Sequence, residues 1–279
     1  MTVFISAEQL ADEIRHGKKL TVLSTNWEAQ EGLAWRRFQS EHVPTALFCD
    51  PSVSLAGMPG SKRGRNPMPP IARLQEAFQK WGMQHDRPVV VYDSRSGVFA
   101  ARAWWILRWA GVEDVKILDG GLREWERKGL PVLGGPGNIT VSSDVEVQPD
   151  SLPTATMDEV REFHGLLVDA RNENRWAGRR EVLDLKAGHI PGALNVPVDE
   201  LFDENKMVGS VDLIRDRLAQ VGVTQNTDPD SAIVYSGSGN HSALLLAAMA
   251  HAGLPIISHY VGGWSQWSAN QENQVARAI

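Results

Sequence analysis

Two short apolar runs stand out along the chain, Val89-Val90-Val91-Tyr92 and Ala232-Ile233-Val234-Tyr235. Runs of this length, rich in β-branched residues and bounded by turn residues, read as buried strands. Each leads into a short glycine-containing loop, Ser94-Arg95-Ser96-Gly97 in one case and Gly237-Ser238-Gly239 in the other. A stretch rich in Ala, Leu and Trp follows, ending at Gly111 or Gly253, where a helix C-cap is expected.

The match extends in both directions, so the chain is an internal repeat. Downstream, Asp119-Gly120-Gly121-Leu122-Arg123-Glu124-Trp125 aligns with Val261-Gly262-Gly263-Trp264-Ser265-Gln266-Trp267. Upstream, His42-Val43-Pro44-Thr45-Ala46 aligns with His189-Ile190-Pro191-Gly192-Ala193, and Val22-Leu23-Ser24 with Leu167-Val168-Asp169. Each half starts with an amphipathic helix pattern, for which Ser6 and Thr156 are the N-cap candidates. The offset drifts from 147 at the prolines to 142 at the glycine pairs, as small loop insertions produce. Strands alternating with helices predict two tandem α/β domains, each a central, mainly parallel sheet with helices on both faces. The expected boundaries are 1–135 and 153–279, joined by a Gly/Pro/Ser-rich linker at 136–152. Pro59 to Pro70, rich in Gly, Pro and basic residues, is expected to be a long loop inside the first domain.

Composition narrows the class. A single cysteine in 279 residues excludes a disulfide framework and any cysteine-based metal cluster. No His/Asp/Glu spacing suggests a metal site, and no cofactor is implied. The longest apolar run, Ala243–Ala250, is far too short for a membrane span, and the N-terminus lacks the pattern of a secretory signal. A cytoplasmic location is expected. The net charge of −6 argues against nucleic acid as a partner. It divides into about +3 over residues 1–140 and −9 over 141–279, in keeping with two distinct units. The sequence does not indicate an oligomeric state.

In α/β domains of this kind, ligands bind beyond the carboxyl ends of the strands. There a helix N-terminus offers backbone N–H groups and a positive dipole end to an anion. Ser236-Gly237-Ser238-Gly239-Asn240-His241-Ser242 occupies such a junction. It lacks the Gly-Lys-Ser/Thr of a phosphate loop and the third glycine of a dinucleotide fingerprint. It also lacks the serine-hydrolase elbow, since Val234 stands where a glycine is needed. A serine hydrolase would further require a histidine and an acid that the sequence does not locate.

Taken together, the two His-Ile/Val-Pro segments, the small-residue loop after the strand and Gly262-Gly263-Trp264-Ser265-Gln266-Trp267 resemble a tandem rhodanese-type sulfurtransferase over the whole chain. The resemblance implies two rhodanese-like domains, the first inactive. In the second, a cysteine takes a sulfane sulfur from thiosulfate or 3-mercaptopyruvate, becomes a persulfide and passes the sulfur to a thiophilic acceptor such as cyanide. The implied partners are therefore a small anionic sulfur donor and that acceptor. At the cysteine position this chain has Ser236, and oxygen has no stable persulfide analogue, so the chain as written is expected to be inactive. Either the serine was introduced into an active enzyme or it is native to a descendant that lost the chemistry; the intact loop, arginines and repeats favour the first. The alternative function is a non-catalytic module that binds an anion or a partner.

The resemblance also assigns candidate binding residues. Gly237, Ser238 and Gly239 are similar to the loop that accompanies mercaptopyruvate use, while Asn240 and His241 depart from it. Arg175, in Asp169-Ala170-Arg171…Arg175-Trp176, matches the donor-binding arginine. Arg179 and Arg180 are further candidates, with a spacing that differs from the family's. Lys62, Arg63 and Arg65 form a basic loop that could steer anions. Asp93 takes the nucleophile position in the first repeat. His42, His189, Trp125 and Trp267 are expected to be structural, and Cys49 a buried hydrophobe.

Overall fold

A computed structural model describes residues 2–94 and 96–278. Met1 and Ile279, at the outer ends of the expected domains, and Arg95, in the first-repeat loop, lie outside the described residues. The chain divides into two compact units.

The first unit holds β1 (Phe4–Ile5), β2 (Thr21–Ser24), β3 (Ala46–Phe48), β4 (Val89–Tyr92) and β5 (Val115–Leu118) in the order β1-β5-β4-β2-β3. Every pairing is parallel. The helix at Ala7–Arg15 starts with a capping box, in which Ser6 accepts from the Gln9 N–H and Gln9 reaches back to the Ser6 N–H. Leu10, Phe38 and Trp125, from three helices, share one core with Val22, Val90 and Tyr92 of the sheet. Alternation sends Val89, Val91 and Ile117 to the other face, where the helix at Val98–Trp109 lies against β4 and β5.

The second unit repeats the plan with β6 (Leu166–Asp169), β7 (Leu194–Asn195), β8 (Ala232–Tyr235) and β9 (Ser258–Tyr260) in the order β7-β6-β8-β9, again all parallel. The counterpart of β1 shrinks to a single parallel bridge, Thr154 to His259. Thr156 and Glu159 form a second capping box at the helix Met157–Glu162. The helix at Asn240–His251 follows β8 as the helix at Val98–Trp109 follows β4.

Equivalent side chains do equivalent work. Tyr92 and Tyr235 each accept a backbone N–H at 3.1 Å, from Val43 and Ile190 respectively. His42 and His189 each place Nδ1 2.8 Å from a carbonyl, of Phe38 and Trp176, and each stacks on that same residue's ring. The Nε1–H groups of Trp125 and Trp267 donate to the carbonyls of Pro131 and Gln274. These bonds fix the turns around the sheets. Cys49 is buried, and burial pushes its thiol well above its usual range.

Two expectations about organisation change. The stretch 136–152, expected to be a linker, is docked along the first unit through residue 151: Asn138 N–H donates to Ala46 O, Gln148 N–H to Ala110 O and Ser151 N–H to Trp109 O. Its backbone is bonded piecewise to loops and helix ends, so it shows no periodicity of its own. The units also exchange short segments relative to the sequence. Gly57–Met68 belongs to the second unit and Glu204–Val208 to the first.

Candidate active site

The site grows from the carboxyl end of β8. Ser236 directly follows the strand, and Gly239, at φ +85°, caps the following helix in a conformation that a side chain would strain. The loop is held from behind by the start of the next helix. Trp264 N–H donates to Ser236 O and Ser265 N–H to Gly237 O, both at 2.8 Å. Gly263 permits this approach: its φ is +55°, and a Cβ there would lie 2.3 Å from Ser236 O.

Over the loop stand two guanidinium groups. A Cβ built on Gly237 would be 3.0 Å from Arg65 Nη2 and 3.1 Å from Arg175 Nη1, so glycine at 237 lets both arginines close in. The segment 57–68 is anchored beside the loop by three bonds. Arg65 N–H donates to Ser265 Oγ, Asn66 Nδ2 to Ser238 Oγ at 3.0 Å, and Gln266 Nε2 to Lys62 O. Burial, followed by the neighbouring Arg175 charge, lowers the pKa of Arg65 from its ordinary value.

The arginines are held by buried carboxylates. Arg175 pairs with Glu181 at 3.0 Å and Asp184 at 2.8 Å, and Arg65 pairs with the other oxygen of Asp184. Glu181 and Asp184 are almost fully buried, and Glu181 Oε1 also accepts the N–H groups of Val182, Leu183 and Asp184. Behind them, Arg171 is bidentate on Asp169, donates to Gly188 O and lies over the Trp264 ring. Burial opposes the Arg171 charge, and Asp169, Tyr235 and Glu181 together more than offset it, so its pKa is raised. Arg65, Arg171 and Arg175 thus face Asp169, Glu181 and Asp184 in equal number.

The structure brings Ser236, Gly237, Ser238, Gly239 and Arg175 together, with Asn240 and His241 half-buried on the first turn of the helix. It does not bring Arg179 and Arg180 to the loop. Arg179 is an exposed partner of Glu173, and Arg180 is also exposed. The chain turns tightly after Trp176, where the Arg179 and Arg180 N–H groups both donate to Asn174 O. Four further residues join the site without having been singled out: Asn66, Glu181, Asp184 and Ser242. Ser242 Oγ lies 3.1 Å from Ser236 Oγ. Among the described residues no group of His, Cys, Asp or Glu could hold a metal, and no helix is long and apolar enough to cross a membrane.

The whole chain is similar to known proteins. A rhodanese-like domain matches residues 6–128 and again 154–270. SseB of Mycobacterium tuberculosis is 34% identical, with 99% of this chain and 97% of that protein covered. The thiosulfate sulfurtransferase of Azotobacter vinelandii is 28% identical over 86% of this chain and 87% of its own length. The crystal structure of SseA of Escherichia coli, a 3-mercaptopyruvate sulfotransferase, is 29% identical with a TM-score of 0.80, covering 95% of this chain and 100% of that one.

Proposed function

The chain belongs to the rhodanese family as a tandem of two rhodanese-like domains, and from that premise we propose that its second-repeat loop binds a small anionic sulfur donor, thiosulfate or 3-mercaptopyruvate, with Ser236 at the nucleophile position. The observation that carries this reading is the convergence of Arg65 and Arg175 on Gly237, at the N-terminus of a twelve-residue helix.

Serine blocks the transfer step. Its oxygen would have to bond to divalent sulfur, and the product has no persulfide character. A cysteine at this position allows both half-reactions to close. Its thiolate attacks the outer sulfur of thiosulfate, the donor S–S bond breaks, and sulfite leaves with the bonding pair. From 3-mercaptopyruvate the C–S bond breaks instead and pyruvate leaves, its enol carbon taking up a proton. Cyanide, as a thiophilic acceptor, then removes the terminal sulfur as thiocyanate and returns the thiolate.

The Ser236→Cys variant is expected to gain one sulfur by mass after incubation with its donor and to form thiocyanate from cyanide. Absence of both with either donor sinks the enzyme reading. Titration calorimetry on the serine form tests the cradle separately. Arg175→Ala should weaken donor binding by roughly 10–100-fold, the worth of a charged hydrogen-bond pair. Arg179→Ala, exposed and away from the loop, should leave it unchanged.

A second reading rests on the buried carboxylates: Asp184 and Glu181 hold Arg65 by Nη1 and Arg175 by Nε and Nη2, fixing both arginines in place with Arg65 Nη2 and Arg175 Nη1 toward Gly237. This favours a non-catalytic module that holds its ligand without transferring sulfur. Donor binding by the serine form together with an inert Ser236→Cys variant would establish it.

A further inference from the structure

The second repeat carries a buried polar chain of three residues, two of them at positions where the first is apolar. Ser236 Oγ lies 3.1 Å from Ser242 Oγ, and Ser242 Oγ lies 2.7 Å from His259 Nε2. All three residues are fully buried. The repeat itself identifies their counterparts. Gly97 and Gly239 cap equivalent helices, which places Ala100 opposite Ser242. Val91 pairs with Ile117 as Val234 pairs with His259, which places Ile117 opposite His259. A methyl group and an aliphatic chain in one core are therefore a hydroxyl and an imidazole in the other. Burying such groups is costly unless they bond to one another, and these bond in a line that ends on the side chain at 236.

We propose that Ser242 and His259 form a proton relay to position 236, with Ser242 touching the reacting atom and His259 a positioning residue that accepts the proton through it. The proposal rests on the reading that 236 is the nucleophile position. The step balances within the chain. The proton of the side chain at 236 passes to Ser242 Oγ as the Ser242 proton passes to His259 Nε2, leaving an anion at 236 and an imidazolium at 259. The anion then faces the helix end whose equivalent in the first repeat donates three N–H groups to a carboxylate, that of Asp93.

Few ionisable groups lie on the elements packed around His259. The helix Asn240–His251 packed on it carries no Asp, Glu, Lys or Arg, only His241 on its first turn and His251 at its far end. Burial lowers the pKa of His251. On β8 the paired residue is Val234, while Tyr235 and Tyr260 alternate to the opposite face with Trp264. Pro153 and Thr154, on the other edge of β9, have no ionisable side chain. In the next layer, the helix Val211–Ala219 carries Asp212, Arg215, Asp216 and Arg217, and Arg215 is bonded to the Ala252 carbonyl.

A thiol reports its own ionisation, so the test uses the full chain with Ser236→Cys and Cys49→Ala, and the ultraviolet absorbance of the thiolate followed from pH 5 to 10. The midpoint is expected below the free-cysteine value of about 8.5. Adding His259→Gln keeps a hydrogen-bonding partner for Ser242 but removes the titrating group. Adding Ser242→Ala restores the residue type that the first repeat tolerates at this position. Each should raise the midpoint by about one unit and cut the thiolate fraction at pH 7 by up to tenfold. An unchanged midpoint in folded His259→Gln and Ser242→Ala variants overturns the relay. The readout is independent of sulfur transfer. A His259-dependent midpoint in an enzyme that transfers no sulfur would leave the relay standing and reject the sulfurtransferase reading, and the reverse result would do the opposite.

Discussion

Asp93 and Ser236 stand at the same point of two repeats with matching strand order, and they treat the same helix end differently. In the first repeat the Asp93 carboxylate accepts the N–H groups of Gly97 at 2.9 Å, Phe99 at 3.0 Å and Ala100 at 3.3 Å, with Ser96 Oγ close by. The chain supplies its own anion there, and the junction is a cap. In the second repeat the corresponding residue is a neutral hydroxyl, turned toward Ser242, and two arginines converge on the loop. The contrast continues one strand away, where Ser24 and Asn26 bond to each other in the first repeat and Asp169 and Arg171 form a buried ion pair in the second. One scaffold thus yields a self-satisfied junction and an ionic one, through changes at a few positions on strand ends.

The comparison is most severely tested at the ion pair. Arg171→Asn alone leaves the Asp169 carboxylate buried beside a weaker partner and is expected to cost about 3–5 kcal/mol in urea denaturation. The double change Asp169→Ser with Arg171→Asn imports the first repeat's pair and should cost well under half of that. Equal losses would mean that the charge pair is not what distinguishes the two strand ends.

A feature the repeats share gives the next effect. Burial pushes Tyr92 up to about 12 and Tyr235 well above its ordinary value. The unfolded chain releases these phenol protons near pH 10 while the folded chain retains them, so stability present below pH 10 is lost as pH rises through 12. For Tyr92 the loss amounts to about 3 kcal/mol. Tyr92→Phe should flatten that part of the pH dependence while costing about 1 kcal/mol at neutral pH for the Val43 N–H bond. Denaturation midpoints at pH 8, 10 and 11.5 measure both.

The smallest change converts one junction toward the other. Asp93→Ser withdraws the charged acceptor from three N–H groups and should destabilise the first unit by about 2 kcal/mol. A stability loss below 0.5 kcal/mol, in the range of an ordinary surface substitution, would show that the carboxylate is not the effective cap.

The strands, the repeat and the loop after β8 were legible because each leaves a local mark: β-branched runs, His-Ile/Val-Pro turns, paired glycines. The carboxylates holding Arg175 were not. Glu181 and Asp184 lie in an irregular stretch with exposed Val182, Leu183 and Leu185, where no period separates an inward acid from a solvated one. Arg179 and Arg180 were candidates by charge, at a spacing that differs from the family's, and both stand exposed, Arg179 paired with Glu173. Ser242 and His259 are seventeen residues apart, and only the packing of a helix on β9 brings them together. Arg65 and Asn66 sit in the first repeat by sequence, and only tertiary contact assigns them to the second unit.

That assignment bears on how the protein can be divided. The second unit includes Gly57–Met68 and the first includes Glu204–Val208, so no single cut separates one from the other. A fragment starting at Leu152 would keep Ser236 and Arg175 but lose Arg65, and with it one of the two cations facing Gly237. The internal repeat is visible in the strands, yet neither half is a self-sufficient copy: a gene fragment encoding either one alone would specify an incomplete object.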